Sequence, residues 1–165
     1  MTETRSGSAR VTLPADNQIL ITRDFAAPPH LVYRAWTTPE LVRRWWAGRR
    51  GTMTSVEIDL RAGGRWRYVM TANAGFEVAF HGVFREVVSE ERIVTTEVFE
   101  MPGEPVDEDA AFYTIRFIAD GDGTRLEQLT ETRTKEIRDS IISSGMERGM
   151  QESMDALDEV AASLA

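Results

Sequence analysis

The chain has 165 residues, 42% of them hydrophobic, and a formal net charge of −8. That length suits one domain, which buries roughly 70% of its unfolded surface and holds a core without staples. The acidic balance argues against nucleic acid as a partner, since a few arginines on phosphates release about four counterions while the remaining surface repels the polyanion. With no cysteine, disulfides, thiolate catalysis and Cys-based zinc sites are excluded, and the composition fits a reducing, cytoplasmic setting.

Residues 1–17 are polar and aperiodic and read as a flexible tail, with the single domain expected over 18–165. The arginines in the tail precede no apolar run, so no signal peptide is expected. No stretch reaches the roughly 18 apolar residues of a membrane span. Gln18–Phe25, "QILITRDF", alternates apolar and polar as a strand does. "PPHLVYRAW" (28–36) pairs Leu31 with Ala35 and Val32 with Trp36 at i, i+4, which predicts a short helix starting at its prolines. "TPELVRRWW" (38–46) predicts another, with Thr38 at the N-cap, Pro39 first and Glu40 in the first turn.

The second helix sets two tryptophans among arginines. At about 100° per residue, Leu41, Val42, Trp45 and Trp46 fall within one arc of roughly 140°, and Arg43 and Arg44 lie on the other side. Tryptophan and arginine therefore interleave in sequence but not in space. The indoles, each burying about 150–250 Å², call for a core or a ligand beneath them rather than for nucleic acid.

From residue 52 to 133 the pattern is β throughout: strands at 52–60, 64–70, 76–88, 92–99, 111–119 and 124–133. The breaks between them carry turn chemistry in "RAGG", "NAG", "SEE" and "DGDG". An acidic loop at 100–109 is expected to move. One long amphipathic helix is expected over 135–164, with an apolar stripe running from Ile142 and Met146 to Leu164. Gly145 and Gly149 inside it each cost up to about 1 kcal/mol against alanine, and so mark a close approach or a gap. The expected architecture is α+β, one curved antiparallel sheet wrapped round the C-terminal helix, with a hollow between them.

Four segments resemble a known family. "FAAPPHLVYRAWTTPELVRRWW" (25–46), "DLRAGGRWRYVM" (59–70), "FHGVFREVVSEERIV" (80–94) and "GMQESMDAL" (149–157) are similar, in order, to the motifs of the helix-grip, START-like superfamily. Within it they resemble the domain named for the activator of the heat-shock protein 90 ATPase. Met150 and Met154 stand where that domain usually has Trp and Leu. The resemblance implies a deep apolar pocket between sheet and helix, which different members use for lipids, hormones, polyketide cyclisation or aromatic substrates. A co-chaperone role is not expected, because the co-chaperone carries a further N-terminal domain.

The ligand-facing candidates are Trp36, Trp45 and Trp46 from the short helices and Trp66, Tyr68, Met70, Phe76, Val78, Phe80 and Phe84 from the sheet. Phe99, Tyr113 and Phe117 join them, and Gly145, Met146, Gly149, Met150 and Met154 form the expected helix wall. On the opposite sheet face, simple hairpins set Asp59 across from Arg65, Glu57 across from Arg67, and Arg67 across from His81. This reads as a solvated ladder of charge pairs, with a polar catalytic row of Glu57, Arg67 and His81 as the alternative. His30 is expected in solvent. No nucleophile elbow, phosphate loop, dinucleotide fingerprint or metal spacing is present, so no catalytic residue, metal or cofactor is expected. The reading is non-catalytic binding of a small, largely apolar molecule, with a homodimer as one further option. The alternatives are a small cyclase- or hydrolase-like enzyme on an aromatic or polyketide-like substrate, and a co-chaperone-like protein-interaction module using the Trp45/Trp46 helix or the sheet edge. Ionisable groups inside the pocket would favour the enzyme, and exposed tryptophans the interaction module.

Overall fold

Period-two alternation and the turn residues between strands set most of this architecture. The structure, a computed structural model, describes residues 9–165. In chain order the elements are β1 (Arg10–Thr12), β2 (Gln18–Phe25), α1 (Pro29–Thr37), α2 (Pro39–Trp45), β3 (Gly51–Ile58), β4 (Arg65–Ala72) and β5 (Glu77–Val88). They continue as β6 (Arg92–Thr96), β7 (Val98–Glu100), β8 (Ala111–Asp120), β9 (Gly123–Thr132), α3 (Lys135–Ser143) and α4 (Met146–Ser163). All pairings are antiparallel, in the order β1-β2-β9-β8-β6-β5-β4-β3, with β7 on β5.

Ile19, Ile21, Arg23 and Phe25 of β2 alternate inward, as the sequence pattern requires. α1 buries Leu31, Val32, Ala35 and Trp36. α2 turns Val42 and Trp45 inward and leaves Arg43 and Arg44 exposed. The Trp45 indole N–H donates to the Ala35 carbonyl at 3.0 Å. Thr38 holds the N-cap position of α2, but its hydroxyl donates back to the Arg34 carbonyl instead of capping.

Three features differ from the sequence reading. Arg10–Thr12, inside the expected tail, pair with Leu20–Thr22 as an edge strand; residues 1–8 of that tail lie outside the described residues. The segment 92–99 is two strands interrupted at Glu97. The C-terminal helix is also two, because Gly145 takes φ +83° between α3 and α4, a left-handed conformation that glycine adopts without a Cβ clash.

α4 packs chiefly against α1 and α2 and is tied to the sheet by Arg23. That buried guanidinium donates to the Met154 carbonyl at 3.2 Å and to Asp155 at 2.8 Å. Gly149 is the close approach its sequence position suggested, and the neighbour is Arg50, whose Nη1 would lie 2.7 Å from an added Cβ. Among the described residues no helix is long and apolar enough to cross a membrane.

Candidate ligand-binding site

The inner faces of β3, β4, β5, β6 and β8 meet α1 around a small hollow. Its walls are Trp36, Thr37, Ile58, Trp66, Tyr68, Phe84, Ile93, Thr95, Tyr113 and Ile115. Strand register explains the grouping. Ile58 faces Trp66, Trp66 faces Gly82, Phe84 and Tyr113 both face Thr95, and Ile93 faces Ile115. Counting its open side the hollow holds about 270 Å³ of empty space, but a water-sized sphere has only about 10 Å³ to move in. That is room for about one water, so the walls are closed on themselves.

One hydrogen bond fixes the wall. The Trp66 indole N–H donates to Thr95 Oγ1 at 2.7 Å, and the Thr95 hydroxyl in turn reaches the Val83 carbonyl at 3.1 Å. The indole lies over Gly82, where an added Cβ would meet Trp66 Nε1 at 2.6 Å and the Thr96 carbonyl oxygen at 2.0 Å. Gly82 is thus the gap that lets the indole and the Thr96 backbone approach together.

Glu97 sits at that crossing, where the chain leaves the ladder between β6 and β7. Its N–H bonds to the Ala111 carbonyl at 3.2 Å. It stands one residue past the end of β6, and its carboxyl acts electrostatically on Tyr113 and Tyr68. The residue keeps some surface exposure, yet the protein around its carboxyl is dense enough for burial to push the pKa up to about 7, against a hydrogen bond from Tyr113 that lowers it. Burial also holds both tyrosine hydroxyls far above their ordinary range, with the Glu97 charge adding to it. The hollow therefore carries two un-ionised phenols in its wall, and the Glu97 carboxyl acts on them electrostatically.

The aromatic candidates form a chain of ring contacts. Trp36 meets Trp45 at 4.9 Å, Trp45 meets Trp46 at 5.6 Å, and Trp46 lies 4.8 Å from Tyr68 and 5.9 Å from Phe80. Phe80 continues to Phe99 at 5.1 Å. Trp36, Trp66, Tyr68 and Tyr113 line the hollow; Trp45 and Phe117 back Trp36 from behind. Trp46 and Phe80, half-buried, and Phe99, 50% exposed, form a rim.

Met70 and Val78 are core beyond the hollow, and Phe76, 48% exposed, precedes β5 in solvent. The helix candidates do not line this hollow. Met154 is buried, Met146 and Met150 pack partly against the core, Gly149 lies under Arg50, and Gly145 opens α4. The reason is geometric: α1 and α2 stand between α4 and this part of the sheet.

On the outer face the register is as the sequence reading has it, with Glu57 opposite Arg67 and Arg67 opposite His81. The ion pairs differ. Arg67 pairs with Glu100 at 3.0 Å, and Asp59 pairs with Arg61 at 3.0 Å rather than with Arg65. His81 Nδ1 lies 2.5 Å from Glu100 and Nε2 3.0 Å from Glu108. Burial pulls the imidazole pKa down, but hydrogen bonds to Glu108 and Glu100 outweigh it and the net shift is upward. Glu108 and the Asp107–Arg133 ion pair clasp the 101–110 loop at two points. Glu57, Asp59, Arg65, Arg67, His81 and Glu100 border an open outer groove of about 480 Å³. His30 is exposed. Among the described residues no group of three acidic or histidine side chains is placed to hold a metal.

A large open antiparallel sheet, two short helices after its first long strand and a long C-terminal helix define a helix-grip, START-like α+β protein. The sequence pattern described as Activator of Hsp90 ATPase homolog 1-like protein matches residues 26–162, and the chain belongs to that family. A crystal structure of a Rhodobacter sphaeroides protein superposes with a TM-score of 0.85 at 24% identity, covering 95% of this chain and 99% of the other. Protein Ms6760 from Mycobacterium smegmatis gives 0.84 at 21% identity, covering 96% and 100%. Protein CV1439 from Chromobacterium violaceum gives 0.75 at 29% identity, covering 89% and 98%. A search of curated proteins finds no match.

Proposed function

We propose that the protein binds a small, largely apolar molecule in the hollow between the sheet and α1, without turnover. The observation that carries this reading is the wall itself: aromatic and branched apolar side chains converge there, and four hydroxyl-bearing residues, Thr37, Tyr68, Thr95 and Tyr113, stand among them. Apolar walls with a few placed polar groups are the usual make-up of small-molecule sites. Their typical volume is roughly 300–1,000 Å³, so a ligand must spread the walls. The partly exposed rim of Trp46, Phe80 and Phe99 is the side with least packing to give up. Trp45, 2% exposed, weighs against docking of a partner protein on the tryptophan pair.

The test is a thermal-shift screen against fatty acids, sterols, flavonoids and aromatic polyketides. A ligand at one hundred times its Kd adds about 2.7 kcal/mol, which for a domain of this size raises Tm by roughly 5–11 °C. Ile58→Trp, which fills the hollow from a half-exposed position, is expected to abolish the shift. A shift that survives this substitution would place the ligand elsewhere, and no shift across the panel would remove the reading.

A further inference from the structure

We propose that His81 is a pH-operated latch on the 101–110 loop: its imidazolium holds Glu108, and loss of the Nε2 proton releases Glu108 and uncovers the His81 end of the outer groove. The latch is independent of what the hollow binds. His81 Nδ1 lies 2.5 Å from Glu100 and Nε2 3.0 Å from Glu108. Both partners are carboxylates, which accept and do not donate when ionised, whereas a neutral imidazole carries one N–H only. The two contacts are therefore made together by the imidazolium, which donates from both nitrogens. Glu100 is kept ionised by its hydrogen bonds from Arg67, which hold its pKa down. Burial lowers the imidazole pKa, yet the hydrogen bonds to Glu108 and Glu100 carry it above 6.5.

When the imidazole turns neutral, one of the two contacts must go, and the surroundings decide which. Glu100 belongs to β7, paired with β5, and accepts from Arg67 Nε at 3.2 Å and Nη2 at 3.0 Å, so it stays. Glu108 has no other hydrogen-bond or ion-pair partner among the described residues, and its side chain is 59% exposed. Facing His81 from the elements around it are Glu100, Glu108 and, across on β4, Arg67, on which Glu57 of β3 and Glu77 of β5 act in turn. Arg65 and Asp59 stand farther along the groove. Residues 101–109 are all exposed, so no buried side chain anchors the loop. It is held by the Glu108 contact, by the Asp107–Arg133 ion pair and by the Arg133 N–H on the Ala110 carbonyl. A segment held by so few exposed contacts opens at little cost. The Asp107–Arg133 tether contains no histidine, so the Glu108 arm swings free while that point stays attached.

The chain has no cysteine, so Val106→Cys, at a 46% exposed loop position, takes a single nitroxide label whose EPR spectrum reports loop mobility between pH 5.5 and pH 8.5. The mobile component is expected to grow as pH rises, with the same midpoint as the His81 ring-proton signals followed by NMR, above 6.5. Glu108→Ala should be mobile at every pH and should lower the His81 midpoint, because a carboxylate that binds the charged imidazole raises its pKa. Glu108→Gln, whose amide can accept from an Nε2–H or donate to a bare Nε2, should keep the loop held across the range. His30→Gln, at the exposed histidine of α1, should leave the transition in place. A label spectrum that does not change with pH in the otherwise unaltered protein would overturn the latch, and so would a pH response that survives Glu108→Ala.

Discussion

Thr95→Val is the sharpest test of how the hollow is built. Valine has nearly the shape of threonine, so the substitution removes a hydroxyl and almost no volume. In the structure that hydroxyl accepts the Trp66 indole N–H at 2.7 Å, with Thr95 2% and Trp66 3% exposed. An orphaned buried donor costs about 1–3 kcal/mol. A loss of about 2 kcal/mol lowers Tm by roughly 4–8 °C in a chain of this size. Thr95→Ser keeps the hydroxyl and drops one methyl group, a loss of about 0.8 kcal/mol in transfer terms. The expected order of stability is therefore Thr, then Ser, then Val, which puts the most apolar of the three last. Urea unfolding followed by tryptophan fluorescence, paired with calorimetry, measures it. Valine equal to threonine, or above serine, would show that the indole does not depend on this bond.

Two glycines should behave oppositely. Gly82→Ala drives a Cβ to 2.0 Å from the Thr96 carbonyl oxygen, a backbone contact with nowhere to go, and is expected to cost more than about 2 kcal/mol. Gly149→Ala meets only the movable end of Arg50, and the roughly 1 kcal/mol gain in helix propensity offsets the displaced bonds, so its urea midpoint should barely move. Glu97 ties stability to pH. Its folded pKa of about 7 lies above its ordinary 4.5, so its contribution is full below about 4.5 and is lost as pH rises through 7. Glu97→Gln should accordingly be more stable than the unaltered protein at pH 8, by at most about 3 kcal/mol, with that gain disappearing by pH 4.5. His81, also raised, acts in the same direction and remains in the variant.

Much of this structure was legible in the sequence because period-two strands and glycine turns fix register. Counting across "RAGG" and "NAG" placed Glu57, Arg67 and His81 in one row, and the angular spacing of α2 placed Trp45 inward and the arginines out. What escaped was set by contacts distant in sequence. Glu97 reads as one more polar residue on a strand expected over 92–99, and the break between β6 and β7 that sets it off the ladder depends on pairings with β5 and β8 that its own segment does not announce. Gly149 announced a close approach, but nothing nearby in sequence names Arg50 as the neighbour. Gly145 reads as a costly helix residue and serves as a helix break. No α4 residue borders this hollow, since amphipathic spacing shows that a face is buried, not against which element.

The most direct measurement for the central claim is an NMR titration with 2-isopropylnaphthalene that follows the four tryptophan indole N–H signals and the backbone of β4, β6 and β8. Binding in the hollow predicts saturable shifts centred on Trp36, Trp66, Tyr68, Thr95, Tyr113 and Ile115, absent in Ile58→Trp. Shifts centred instead on the exposed Phe76, Met101 and Val106, or along α4, would contradict it.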